Sequence, residues 1–211
     1  VTLKLSPQLL RAGLRTAVPW KNGGGLTREV VAVPDGAALG EFDWRVSTAE
    51  VRTTGPFSIF PGVQRTLCVL EGMLALEVEG ARAVRLSAAS APYVFSGDVP
   101  AHASPGAEGV VDLNVMTRRA RFAARVEAVR FTNAATRTTS PGTTLIFALT
   151  ALSITTPDAE YPLARWDALK VTDATSFTLY APGGPGSCYV IEITAEGRAL
   201  MGGPRPRSGE R

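Results

Sequence analysis

The chain has 211 residues, 45% of them hydrophobic, which is enough to bury a sizeable core, and it contains no run of about 18 apolar residues that would span a bilayer. Its first residues, VTLKLSPQLL, lack the basic stretch and apolar core of a secretory leader, so a cytoplasmic location with no membrane partner is expected. The formal charge of +3 is mostly local: in 202–211, Arg205, Arg207 and Arg211 oppose only Glu210, leaving a nearly neutral body without the broad basic face that nucleic acid requires.

Taken in order, Ser6-Pro7-Gln8-Leu9-Leu10 reads as a helix start, with a capping serine and proline at the first helical position. Next comes Pro19-Trp20-Lys21-Asn22-Gly23-Gly24-Gly25-Leu26-Thr27-Arg28-Glu29, an aromatic, a cation, an amide and three glycines in one short segment. Three glycines cost backbone entropy, so the segment is either a flexible loop or one wall of a binding site. It is not a phosphate loop, because no Gly-Lys-Ser/Thr follows.

Strands are expected at 26–33, 42–51, 66–70, 74–78, 83–86, 93–95, 110–116, 122–131, 145–149, 152–155, 177–180 and 189–194, with one turn of helix near 162–169. A dozen short strands with few helices predicts an all-β fold, closed or sandwiched. In 42–51 the period of two sets Phe42, Trp44, Val46 and Thr48 against Asp43, Arg45, Ser47 and Ala49. Segment 111–116 alternates likewise, with Asp112, Asn114 and Met116 on one side. By pattern alone both polar faces meet solvent; a barrel that holds a ligand would instead carry such groups inside.

The segment 66–80 reads as a hairpin turning at Glu71-Gly72, its return strand placing Leu74, Leu76 and Val78 on one face. Its Val-Leu-Glu-Gly core resembles the hairpin that follows the first metal motif of cupin barrels. Where a metal cupin would carry histidines, this chain has Pro61-Gly62-Val63-Gln64-Arg65-Thr66. Its single histidine, His102, lies in a Gly/Asp/Pro-rich stretch read as a surface loop, so neither a metal nor another cofactor is expected. Cys68 and Cys188 sit in apolar runs that suit buried reduced thiols better than a nucleophile or a disulfide.

A shift of 79 residues lays 149–154 on 70–75 and 189–194 on 110–115, an internal echo that favours two barrels over one larger one. The expected division is a barrel over 1–120 with the motif-bearing pocket, a second over 121–201, and a disordered basic tail over 202–211. The arginines of 118–125 are read as a solvated bridge between barrels rather than a phosphate track.

The block 19–29, together with Phe42-Asp43-Trp44-Arg45-Val46-Ser47, Gly55-Pro56-Phe57-Ser58-Ile59-Phe60-Pro61-Gly62, Val69-Leu70-Glu71-Gly72, Phe95-Ser96-Gly97-Asp98 and Asp112–Arg119, resembles the HutD/Ves family over about half the chain. The resemblance implies a cytoplasmic bicupin with no assigned catalytic activity. It also implies a regulatory link to histidine utilisation through a small carboxylate such as urocanate or formylglutamate, while Ves-like members are associated with stress or cold induction. Mapped onto this sequence, the family's ligand-binding pocket draws on Trp20, Lys21, Asn22, Arg28, Arg45, Arg65 and Asn114, with backbone amides at Gly23 and Gly24. Arginine pairs bidentately with carboxylate, lysine adds a point charge, and asparagine both donates and accepts. The rivals are a cupin-superfamily isomerase, hydrolase or metal-dependent oxygenase, and a stress-response interaction protein; a homodimer stays open.

Overall fold

The computed structural model describes residues 7–21, 23–172, 174 and 176–196, and these are almost entirely strand. In chain order the strands are β1 (Gln8–Leu10), β2 (Ala17–Pro19), β3 (Gly25–Val33), β4 (Trp44–Val51), β5 (Gly55–Pro56), β6 (Val63–Val78), β7 (Val84–Ser87), β8 (Tyr93–Ser96) and β9 (Ala101–Arg118). They continue as β10 (Phe122–Phe131), β11 (Ala134–Thr138), β12 (Thr143–Ala148), β13 (Leu152–Thr155), β14 (Glu160–Leu163), β15 (Ala168–Thr172), β16 (Ser176–Tyr180) and β17 (Gly186–Ala195). The only helical element described is a 3-10 turn at Ala12–Leu14, so no helix among the described residues is long and apolar enough to cross a membrane.

One eight-stranded sheet runs β2-β3-β4-β9-β6-β7, with β5 on β9 and β8 on β6. The later strands form a five-stranded sheet, β1-β15-β12-β17-β10, and a four-stranded one, β11-β16-β13-β14. All pairings are antiparallel, and the arrangement is jelly-roll-like rather than a closed barrel.

Strands β4, β9 and β6 of the first sheet are covered on both faces. One face meets the five-stranded sheet in a core shared by Trp44, Val46, Cys68, Leu113 and Val115 with Leu145, Phe147, Tyr189 and Ile191. The opposite face of β6 packs Leu67, Val69, Leu74 and Leu76 with Phe57 and Phe95. Burial on both faces explains the unbroken apolar run 67–70 in place of an alternating one. A third cluster, with Ile146, Ile154, Leu169, Phe177 and Leu179, fills the space between the two later sheets.

Three local expectations are corrected. Glu71-Gly72 is not a hairpin turn: β6 runs through it, with register shifts against β9 on either side. Gly72 does take φ +80°, but it serves a bulge, and a Cβ there would lie 2.4 Å from the Gly109 carbonyl oxygen. The helical turn near 162–169 is replaced by the end of β14 and the start of β15. Between them the buried Asp167 carboxylate accepts from the Ala164 amide (3.1 Å), the Ala12 amide (2.7 Å) and Arg11 (2.8 Å). Burial alone would raise this carboxyl; those donors hold it below its usual value. At the chain start Ser6 lies outside the described residues, and Gln8–Leu10 is a strand paired with β15 instead of a helix.

Candidate functional site

On β4 and β9 the face turned away from the shared core carries polar groups, beside the apolar cluster of β6. On β4 the alternation sends Trp44 and Val46 to the shared core, which turns Arg45, Ser47 and Ala49 to the opposite side. On β9 it sends Leu113 and Val115 to that core and turns Asp112, Asn114 and Met116 inward. These inward residues do not meet solvent: Ser47 is 3% exposed, Asp112 1% and Asn114 9%. They line a cavity of about 770 Å³ walled by Trp20, Phe57 and Phe60.

Strand register orders the lining. Met116 of β9 is flanked by Arg45 of β4 and Arg65 of β6; Asn114 by Ser47 and Leu67; Asp112 by Ala49 and Val69. Two arginines therefore mark one end of the lining and a carboxylate the other, with an amide and a hydroxyl between. Beside the carboxylate end, Thr27 of β3 is registered with Ala49 and accepts from the Trp20 indole nitrogen at 2.8 Å. Trp20 in turn meets the Phe57 ring edge-on, centroids 6.4 Å apart.

Arg65, 4% exposed, has its guanidinium over the Phe57 and Phe95 rings at 4.9 and 4.8 Å. Its hydrogen bond to the Ser58 carbonyl is long, 3.4 Å, and its Nε has no partner among the described residues. Both Asp112 oxygens and the Asn114 Oδ1 also lack partners among the described residues. Desolvation pushes the Asp112 carboxyl up to about 7 despite the opposing charge of Arg65, and lowers Arg65 to about 10. Arg45 is better provided: its Nε donates to Glu29 at 2.8 Å and an Nη to Ser47 at 3.2 Å.

Of the residues expected to bind, Trp20, Lys21, Arg45, Arg65 and Asn114 come together around this cavity. Arg28 does not: it alternates away from Thr27 and pairs with Glu50 at 2.5 Å. Gly23 and Gly24 also lie off the lining and instead shape the turn that carries Trp20. The Gly23 amide donates to the Trp20 carbonyl at 3.0 Å, and the Trp20 amide to the Gly25 carbonyl at 2.9 Å. Gly25 is required by close approach, since a Cβ there would lie 2.3 Å from the Glu50 carbonyl oxygen. Asn22 lies outside the described residues, as does the segment 202–211.

Asp112, Ser47, Ser58 and the Phe57 and Phe60 rings belong to the cavity but were not singled out as binding residues. The signal for Asp112 and Ser47 was present in the alternation, which cannot say which side of a strand is outside. The 79-residue echo has the same weakness. It lays the cavity residue Asp112 on Ile191, which faces the shared core, so the offset pairs opposite strand faces.

The remaining motifs are structural. Asp98 accepts from the Gly62 amide (2.7 Å), Ser96 (2.6 Å) and Arg119, tying the turn before β6 to the one before β9. Arg118 donates to the Phe42, Pro61 and Gly40 carbonyls, Arg121 pairs with Asp43, and Arg125 with Glu127 and Glu192. That run holds loops and strands together. Burial pushes the Cys68 and Cys188 thiols up to about 12, which makes both poor nucleophiles. His102 is exposed and sits within β9, registered with Glu77, and not in a loop. Among the described residues no three His, Cys, Asp or Glu side chains are grouped to hold a metal ion. The cavity thus sets two arginines, an amide and a carboxylate against aromatic walls.

The sequence matches the HutD family model over residues 14–188. It is 42% identical over 110 residues to Protein Ves of Citrobacter koseri, covering 51% of this chain and little more than half, 56%, of that relative. An uncharacterised 21.2 kDa protein in the hutC 3′ region of Pseudomonas putida is 35% identical over 142 residues, 67% of this chain and 73% of the relative. The solved structure of HutD from Pseudomonas fluorescens SBW25 superposes with a TM-score of 0.78 at 28% identity, over 91% of this chain and 100% of that one. A cupin 2 conserved barrel domain protein from Leptotrichia buccalis superposes with a TM-score of 0.58 at 7% identity, over 90% of this chain and 97% of that one, a likeness of fold alone.

Proposed function

Since the chain belongs to the HutD family, we propose that it binds a small carboxylate metabolite in the first-sheet cavity, without a metal, and acts as a ligand-responsive modulator of histidine utilisation. The observation that carries the binding half is Arg65, a buried cation whose Nε donor has no partner among the described residues. Leaving such a group unpaired costs about 1–3 kcal/mol, and more when charged, so a ligand that supplies its hydrogen bond is held strongly. Arg65 and Arg45 supply donors for a carboxylate, and the aromatic walls exclude water around it. The regulatory half draws on the hutC neighbourhood of the Pseudomonas putida relative and on the HutD name of the Pseudomonas fluorescens structure.

Calorimetric titration with urocanate, formylglutamate and simple aliphatic acids tests the reading. At least one is expected to bind, and Arg65→Met to weaken it tenfold or more, since a charge-assisted hydrogen bond is worth about 1.5–3 kcal/mol. Absence of binding by every acid, or binding that Arg65→Met and Arg45→Met both leave unchanged, overturns it.

A further inference from the structure

The cavity lining is polarised along the strands. Arg45 and Arg65 flank Met116, whereas Asp112 stands four residues away on the same strand, a backbone separation of about 13 Å at the usual strand rise. Asn114 and Ser47, able to accept and donate, occupy the position between. Arg65 and Asp112 feel each other's charge but make no direct hydrogen bond, so both keep bonding capacity for a ligand. Asp112 is 1% exposed, and neither of its oxygens accepts a hydrogen bond from a described residue.

A simple anion satisfies only half of this arrangement. A carboxylate at the arginine end leaves the Asp112 acceptors unpaired, and a second carboxylate at the other end meets a like charge out of water, which is repulsive. A donor does the reverse, giving Asp112 the hydrogen bond it lacks. Resting on the carboxylate-binding reading above, we propose that the cavity selects dipolar acids, small molecules with a carboxylate at the Arg45/Arg65 end and an N–H donor, ammonium or azole, at the Asp112 end. Asp112 is then the residue that determines specificity, through discrimination rather than overall affinity. Lys21, exposed at the cavity rim, contributes a charge that both kinds of acid meet alike.

The experiment compares four acids on the wild-type protein at pH 8 by calorimetry: γ-aminobutyrate and 4-imidazoleacetate, which carry a donor, and glutarate and butyrate, which do not. Donor-bearing acids are expected to bind about tenfold tighter or better, the scale of one buried hydrogen bond to a charged group. Asp112→Asn is expected to remove most of that preference, while Arg65→Met weakens all four together. Glutarate or butyrate binding as tightly as the donor-bearing acids overturns the inference on the wild-type protein alone, whether or not any variant folds. A preference that survives in Asp112→Asn overturns it too. In both of those cases acids still bind in an Arg65-dependent way, so the carboxylate reading stands; no binding by any of the four overturns the inference, and the carboxylate reading falls with it only when urocanate and formylglutamate also fail to bind.

Discussion

The two β-sheet interiors of this molecule are built from the same kind of strand, yet one is hollow and the other is solid. Between the two later sheets, Phe131, Ile146, Ile154, Leu169, Phe177 and Leu179 pack together, each no more than 9% exposed. Inside the first sheet the equivalent inward positions include Arg45, Ser47, Arg65, Asp112 and Asn114, and about 770 Å³ is left open. Groups that need hydrogen bonds cannot close on one another as apolar chains do, so polar residues at inward positions keep a cavity from collapsing. The later half has a polar cleft of only about 80 Å³, and its charges are already paired, Arg125 with Glu127 and Glu192, Arg137 with Glu127. The hollow interior holds unmet bonding capacity at Arg65, Asp112 and Asn114, beside the apolar cluster of β6.

The contrast can be broken most severely in the solid interior. Leu179→Ala, at a site with no exposure, is expected to cost about 2–5 kcal/mol in urea unfolding and to leave acid binding unchanged. Loss of binding in a variant that remains folded would mean that the two interiors are coupled.

Asp112→Asn probes the hollow one. The folded carboxyl sits near 7, above its ordinary 3.8, so between those values the folded protein holds a proton that the unfolded chain has released. Wild-type stability therefore falls as pH rises through that window, and the loss is complete above it. The variant escapes the loss and is expected to gain about 2–4 kcal/mol on wild type at pH 8 relative to pH 4. The other charged groups around the cavity, Arg65, Arg45 with its Glu29 partner and the rim residue Lys21, are present in both proteins. A difference between the two proteins that does not change with pH would sink the picture of a strained carboxylate.

The smallest effect is expected at Arg28→Ala. Its pair with Glu50 lies on the strand face opposite the cavity and is partly exposed, worth about 1 kcal/mol or less. Binding in the same titrations should not move; a tenfold loss would bring Arg28 back into the site.

Strand positions were largely legible. Segments 122–131 and 152–155 match β10 and β13 end to end, because alternating apolar residues bounded by turn residues leave little choice. The first half of β9 was not, since Ala101 to Gly109 has little strand propensity and is held extended by β6 and β5. The Glu71-Gly72 signal was read as a turn because positive φ serves a turn and a bulge equally well. In the site, Trp20, Lys21, Arg45, Arg65 and Asn114 were found through the family's motifs, whereas Asp112 was visible only as one member of an alternating face.

The amino-acid sequence by itself determined an all-β chain of the HutD family, with buried thiols and two-faced strands at β4 and β9. Only the tertiary structure decided which face of those strands is inside. Alternation specifies two sides without naming either one, and the apolar side was claimed by the five-stranded sheet. The polar side, left to line the first interior, thereby became the candidate binding surface.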